Sequence, residues 1–358
     1  MKSPQNNFLG TGTFFGGPAS VSLTTALSPE VGLSSADDLA LNLRGLLAGQ
    51  TNHNNPQSVP HPQGSNQRVV TSVLLNTRNH GRFIEACVES LLAQTVPADE
   101  IVAYDDQSSD DTVARLCRFG ERITLLTGGD QAFPSYQRQA NAVLTAFARS
   151  RGDLVFLLDG DDRFRPEKIE QYCAAFERCR DASMIQAPME KIDDQGRTLG
   201  SNFEARNHVQ HHLTEIYRQQ DVDFYYPTSS LAFSRSYLHS VLPLNFSDGI
   251  PLWSDTRLGI MAPYYGPVLT LPHPLTEWRR HADSDSIRAR GRNLQIQQTL
   301  MRTEVFNAFC RKYGLRTISA WRNARFYKQL LRLSLPELAY DLFYRHVRSP
   351  ASPVQPDR

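Results

Sequence analysis

Paired cysteines are the first thing this sequence lacks. Its 358 residues include five cysteines, Cys87, Cys117, Cys173, Cys179 and Cys310. There is no C-x-x-C step and no histidine at zinc-finger spacing, which excludes a structural zinc motif and a disulfide framework. A sparse, odd set suits a reducing compartment, where cysteine acts as a small buried hydrophobe, so a cytoplasmic protein is expected. No run approaches about 18 consecutive apolar residues. The first 30 residues carry one lysine and a broken, glycine-rich apolar pattern, so neither a membrane span nor a signal peptide is expected. Excess charge is also missing. The 38 Lys and Arg against 37 Asp and Glu argue against a protein that coats nucleic acid.

Hydrophobic residues make up 40% of the chain, with 18 Phe and 13 Tyr, enough for a sizeable core. Residues 1–67 are rich in Gly, Pro, Ser, Asn and Gln and read as a disordered or linker arm, with a short helical pattern only at Ala36–Leu47. From Val69 the texture becomes alternating strand and helix, as in an α/β fold with a mostly parallel central sheet flanked by helices. Strands are expected at Val69–Leu75, Glu100–Tyr104, Ile123–Thr127 and Leu154–Leu158. Helices are expected after Phe83, from Asp111 to Phe119, from Ser135 to Ala148 and from Pro166. Beyond Ser183 short strands are expected at 184–187, 230–234 and 268–271, with long polar loops between. A helix follows at Asn293–Tyr313, and another from Ser319 to near Pro336. Between Arg279 and Arg332 thirteen Lys or Arg face three acids. That local basic surface either meets an anionic membrane or is a solvated helix face.

Ligands of open α/β sheets bind beyond the carboxyl ends of the strands. Here those ends are polar: Asn76-Thr77-Arg78-Asn79 after the first strand, Asp105 to Asp111 after the second, and Asp159-Gly160-Asp161-Asp162 after the fourth. Ser109 to Asp111 either cap the next helix or face a ligand. Five clustered carboxylates repel one another unless a cation sits among them. Oxygen ligands favour Mg²⁺ or Mn²⁺, completed by substrate phosphates. The first loop, NTRNHG, matches neither the dinucleotide fingerprint nor the P-loop, which disfavours nicotinamide and kinase-type chemistry.

The segments SVLLNTRNHGRFIEACVESLLAQTVPADEIVAYDDQSSDDT and GDLVFLLDGDDRFRP resemble the nucleotide-binding half of the family 2 inverting glycosyltransferases of the GT-A fold. The resemblance runs over roughly Val69 to Arg280. It implies a GT-A domain at 68–285, with a nucleotide-binding half at 68–182 and an acceptor half at 183–285. A helical C-terminal extension at 286–348 and a disordered tail at 349–358 complete the expected layout. Donor contacts implied by the resemblance are Asp106 on the base, with Asn76, Arg78, Asp105 and Arg138 lining that pocket, and Asp159 on the ribose. Asp161 is implied as the ligand of Mn²⁺ or Mg²⁺ on the diphosphate. Many members place an aromatic residue where Arg78 stands; a guanidinium also stacks, which leaves the choice of base open.

Asp255, ahead of an apolar helical stretch, matches the family's general base, or is simply a helix N-cap. The companion acid often found just before it is Ser254 here. Arg279, Arg280 and His281 resemble a loop folding over the donor phosphates, although His281 is equally read as a solvated loop histidine. Trp253, Trp278, Tyr225, Tyr226 and Tyr264 are candidates to stack on acceptor sugar, with His211 and His212 nearby, and each aromatic alone is more often core. The implied activity is transfer from a nucleotide-diphosphate sugar, a UDP sugar first, to a hydroxyl of a glycan or lipid-linked acceptor in polysaccharide or glycoconjugate synthesis. Peripheral contact with the inner face of the membrane is a further expectation. A nucleotidyltransferase would show a glycine-rich first loop, and a non-catalytic binder a damaged acidic site. Removal of the Asp161 charge is expected to leave or raise the stability of the ligand-free protein.

Overall fold

The computed structural model describes residues 68–201, 213–282 and 292–334. The N-terminal arm with Ala36–Leu47, both histidines of the 211–212 pair and the tail lie outside the described residues. Strands β1 (Thr71–Thr77), β2 (Glu100–Asp105), β3 (Thr124–Thr127) and β4 (Leu154–Asp159) run parallel in the order β3-β2-β1-β4. Between them run helices α1 (Ile84–Leu92), α2 (Thr112–Cys117) and α3 (Ser135–Arg149). The strands are apolar along most of their length because both faces are covered. Val73, Leu75, Ala103, Phe156 and Leu158 pack with Ile84, Cys87, Val88 and Leu91 on one side. Leu74, Val102, Val155 and Leu157 pack with Val143, Ala146 and Phe147 on the other. Each large apolar side chain so buried contributes about 1.5–3 kcal/mol.

The sheet continues beyond β4 through β9 (Ala232–Ser234), β6 (Met184–Gln186) and β10 (Val268–Thr270). Only β9 breaks the parallel run, lying antiparallel between β4 and β6. The mostly parallel α/β sheet expected from the sequence is therefore present. A second, four-stranded sheet was not legible there. It takes β5 (Arg163–Phe164), β7 (Met189–Ile192), β8 (Thr198–Gly200) and β11 (Thr276–Arg279) in the order β5-β11-β7-β8. Residues 275–286 read as a loop because T-E-W-R has no apolar run. Ladders to β7 on one side and β5 on the other make Thr276–Arg279 a strand.

Helices α4 (Lys168–Arg178), α5 (Leu213–Gln219), α6 (Arg235–Val241) and α7 (Ser254–Tyr265) support this half. The C-terminal helices are α8 (Arg292–Lys312) and α9 (Ala324–Ser334). The helix expected from Ser319 is instead a 3-10 turn, Ala320–Arg322, followed by α9. Asn323 separates them, its Oδ1 accepting the backbone N–H of Arg325 at 2.8 Å and of Phe326 at 3.3 Å, a side-chain cap that begins a new helix. Helix α8 packs on α7, and Phe306, Cys310 and Ile318 join the core of the sheet. All five cysteines are free. Among the described residues no helix is long and apolar enough to cross a membrane.

Candidate active site

The register of β1 sets Asn76 beside Asp159 and Thr77 beside Asp105, so the polar residues after three strands open onto one crevice. Asp105 is turned away from it. Its carboxylate accepts the Ser108 backbone N–H at 2.9 Å and the Ser108 hydroxyl, closing the loop after β2 with both oxygens engaged. Burial, aided by the charges of Asp106 and Asp110, pushes this carboxyl up even against the Ser108 hydrogen bonds. Capping also accounts for Asp110, which accepts the Thr112 N–H and hydroxyl and the Gly81 N–H. Asp111 pairs with Arg115 along α2. Of the two readings left open for this acidic stretch, the capping one fits Asp110; Asp111 stands at the N-cap position without a side-chain cap.

Asp106 behaves differently. Its Oδ2 accepts from Arg138 Nε at 2.9 Å and from Arg78 at 3.3 Å, while Oδ1 is buried and has no hydrogen-bond partner. A Cβ built on Gly129 would lie 2.2 Å from that oxygen, and Gly129 has a φ of +123°. Glycine is needed there both for the backbone and for the space in front of the carboxylate. Arg78 also donates to Gln131 at 2.8 Å, Gln131 to Gln107 at 3.0 Å, and Gln107 to the Gly129 carbonyl at 2.6 Å. No pattern in the sequence singles out Gln107 and Gln131, yet they extend the polar network that begins at Asp106, whose Oδ1 is unpartnered.

At the end of β4, Gly160 lets the chain press against the first loop, where a Cβ would meet Thr77 Oγ1 at 2.6 Å and His80 Nδ1 at 2.8 Å. The three aspartates around it have different environments. Asp159 is pushed well up by burial and by the charges of Asp161, Asp162 and Asp255. Asp162 is pushed up by burial and by Asp161, and accepts the backbone N–H of Arg279 at 2.8 Å. For Asp161 burial is outweighed by the His281 hydrogen bond and the neighbouring His80, so its carboxyl stays below the usual range. His281 Nε2 lies 2.9 Å from Asp161 Oδ2, with its ring 4.9 Å from that of Phe83 and 6% exposed. It is a buried partner of the acidic loop, not a solvated histidine.

Arg279 is also placed differently from the expected phosphate contact. It is 3% exposed, and its Nε donates to the Asp161 carbonyl at 2.8 Å. One terminal nitrogen donates to the carbonyls of Asp193 and Asp194 at 2.8 and 3.1 Å, and the guanidinium lies over Phe83 at 4.7 Å. These contacts make Arg279 a brace of the acidic loop. Arg280, one residue on, lies with its guanidinium 4.4 Å from the Trp278 ring.

Asp255 sits in the first turn of α7, as its helix-opening context implied. It is not an ordinary cap. Oδ2 accepts the Thr228 hydroxyl at 2.9 Å and Oδ1 the adjacent Thr256 N–H at 2.6 Å. Burial raises its carboxyl, opposed by those hydrogen bonds and by the positive charge of Arg302 on α8. Ser254 anchors the start of α7 through Gln139 Oε1, its hydroxyl donating at 2.8 Å. The fold thus brings Asp159 and Asp255 to one turn, Asp159 by its backbone N–H on Ser229 Oγ and Asp255 by the Thr228 hydroxyl. Thr228 and Arg302 carried no sequence signal, since one lies in a P-T-S-S loop and the other among many surface-like arginines. Of the aromatic candidates, Tyr226 is core, Tyr225 packs against Gly259, and Tyr264 stacks on Phe309 and Tyr313. The basic C-terminal stretch buries Phe326 and leaves Trp321, Tyr327 and Leu331 exposed.

Among the described residues no group of three or more His, Cys, Asp or Glu side chains closes into a metal cage. The available donors are a carboxylate and an imidazole at one point, Asp161 and His281. That pair fits a divalent cation of the Mn²⁺ or Mg²⁺ type only if a bound diphosphate supplies further oxygens.

Residues 72–242 match the family model described as glycosyl transferase family 2. An uncharacterized glycosyltransferase of Nostoc is 26% identical over 61% of this chain and 67% of its own length. The Escherichia coli protein named UDP-Glc:alpha-D-GlcNAc-diphosphoundecaprenol beta-1,3-glucosyltransferase WfgD is 32% identical, over 28% of this chain and 38% of its own. In structure the chain resembles Staphylococcus aureus TarS, crystallised with UDP-GlcNAc, with a TM-score of 0.51 and 14% identity, covering 79% of this chain and 76% of that one.

Proposed function

Because residues 72–242 match the glycosyl transferase family 2 model and the fold resembles that of TarS, we propose that the protein moves a sugar from a nucleotide-diphosphate donor to an acceptor hydroxyl with inversion at the anomeric carbon. One observation carries this reading: Asp159, at the mouth of the acidic loop, and Asp255, at the head of α7, meet at one turn, Asp159 through its backbone N–H on Ser229 Oγ at 3.1 Å and Asp255 through the Thr228 hydroxyl at 2.9 Å. A donor lying along the strand ends would therefore present its anomeric carbon between a nucleotide site and a base.

The base of the nucleotide would sit over the rim of Arg78, Gln107 and Gln131, with the unpartnered Asp106 Oδ1 accepting a ring N–H. Uracil and guanine offer such an N–H on their pairing edge, and cytosine offers a lone pair, which favours a UDP sugar over a CDP sugar. Asn76 and Arg138 border this pocket, Arg138 by fixing Asp106. Asp159 would take the ribose hydroxyls. Asp161, with His281, would hold Mn²⁺ or Mg²⁺, whose chemistry when bound is to offset charge on the departing diphosphate. Arg279 keeps the loop carrying Asp161 in place, and Arg280, stacked on Trp278, remains the candidate basic side chain for the phosphates. On the opposite side Asp255 would take the proton of the acceptor hydroxyl as it attacks from the face opposite the diphosphate. A glycan or lipid-linked saccharide is the acceptor class, as the WfgD name describes for that relative.

The test is a thermal-shift and turnover panel of UDP, GDP, CDP and dTDP sugars with and without Mn²⁺. A ligand that binds only the native state raises the melting point. We expect a metal-dependent shift and nucleotide release with a UDP sugar, and no response to CDP sugars; a panel without any metal-dependent shift refutes the reading. Arg302 on α8 and the burial of Phe306 in the main core lead us to treat the C-terminal helices as part of the catalytic unit that begins near residue 68. A chain ending at residue 285 is expected to lose turnover, and full activity in that truncation would show the extension to be separate.

A further inference from the structure

A hydroxyl has one proton to give, and Thr228 gives it to Asp255: Oγ1 donates to Asp255 Oδ2 at 2.9 Å. Thr228 itself is 7% exposed, so water does not freely compete for that proton.

The turn that carries Thr228 is held from below. Thr228–Ser230 form a single 3-10 turn, and two fully buried residues one helical turn apart on α4 grip its carbonyls. Lys168 Nζ donates to the Ser229 carbonyl and to Thr276 Oγ1, the latter at 2.8 Å, while lying 3.8 Å from the Phe164 ring centre. The Tyr172 hydroxyl donates to the Ser230 carbonyl at 2.6 Å. From above, the Asp159 backbone N–H donates to Ser229 Oγ at 3.1 Å. A buried ammonium is costly to keep unless hydrogen-bonded, so this clamp fixes the turn instead of merely filling space.

We propose that Thr228 is a positioning residue: on a turn gripped by α4 and tied through Ser229 to the backbone of Asp159, its proton aims the Asp255 carboxylate at the acceptor. This rests on the reading of Asp255 as base. Asp255 is held at Oδ2 by Thr228 and at Oδ1 by the Thr256 N–H, with one orientation left for its remaining lone pairs. In this scheme Thr228 tunes turnover more than donor affinity.

The experiment compares Thr228→Val, which keeps the shape, Thr228→Ala, which leaves space, and Thr228→Ser, which keeps the hydroxyl. Turnover is read as UDP release from the fastest UDP sugar of the panel with Mn²⁺, and binding as the calorimetric affinity for UDP. We expect the Val and Ala variants to lose about tenfold to hundredfold in kcat with UDP affinity within about threefold, and the Ser variant to stay within about threefold of the parent in both. Normal turnover in the Val and Ala variants, a Ser variant as slow as they are, or a loss of UDP affinity that matches the loss of turnover would each overturn the proposal. Asp255→Asn, run alongside, separates the two levels: if it turns over normally, the base assignment beneath the proposal is wrong. A parent protein that releases UDP from no donor refutes the transferase reading itself.

Discussion

Asp161→Ala is expected to abolish sugar transfer and, with it, the Mn²⁺-dependent rise in melting point given by a UDP sugar. The carboxylate it removes is one of two side-chain donors the acidic loop offers a cation, the other being His281 at 2.9 Å. Without it, a cation carried in by a diphosphate would have only the His281 imidazole to bind at that point. The ligand-free protein is expected to melt lower, contrary to the simple expectation that removing one of several like charges relieves repulsion. The reason is local. Burial opposes the Asp161 charge, but His281 and His80 outweigh it and hold the carboxyl below its usual range. A depressed carboxyl pKa contributes stability that is present above the unfolded value and is lost as pH falls through the folded one. Removing it also strands a buried imidazole, at about 1–3 kcal/mol. Asp159 has the opposite sign. Its carboxyl is pushed well up by burial and by Asp161, Asp162 and Asp255, so its contribution fades as pH rises through the folded value, and at neutral pH its charge is a burden. Asp159→Asn should therefore melt higher than the parent without ligand while binding donor less well. A metal-dependent shift that survives in Asp161→Ala would remove Asp161 from the cation site.

The second large effect belongs to Asp255→Asn. Asparagine keeps the shape and an oxygen to accept from Thr228 or Thr256, but it cannot take a proton. Transfer should slow by roughly 10² to 10⁴ with donor affinity changed only a few-fold. The pH profile provides a second check. Burial raises the Asp255 carboxyl above the usual range, against the pull of Thr228, Thr256 and Arg302. A base must be ionised to act, so turnover by the parent should fall toward acid with a midpoint above that of an ordinary carboxylate. That acid limb should be missing from what activity the Asn variant retains. The product should carry inverted anomeric configuration by NMR. Retained configuration, or near-normal turnover by the variant, would sink the mechanism while leaving the fold and the nucleotide site as they are.

The amino-acid sequence by itself determined the α/β class, the order of the first four strands and helices, and the location of the acidic residues at the strand ends. These follow from short-range patterns: continuous apolar runs for strands covered on both faces, helical spacing of Ile84, Cys87, Val88 and Leu91, and aspartates placed where strands stop. Asp255 was singled out by the family resemblance, since an acid ahead of an apolar helical stretch is by itself an ordinary cap. What each aspartate does was settled by long-range contacts. Asp105, Asp106, Asp159, Asp161 and Asp162 look alike in sequence, yet the first closes a turn on Ser108, the second keeps one oxygen unpartnered, and the fifth ties down Arg279. Arg279 and His281 read as a phosphate-binding loop and became a brace and a buried partner once β11 paired with β7 and β5. The second sheet escaped sequence reading because its strands are short and polar, and hydrogen-bonded neighbours supply what their side chains do not. Thr228, Lys168 and Arg302 meet the site only in three dimensions, from a turn, a helix and the C-terminal region far apart along the chain. Periodicity reports which face of an element is buried. Which polar groups share a proton depends on packing between elements, and only the tertiary structure decides that.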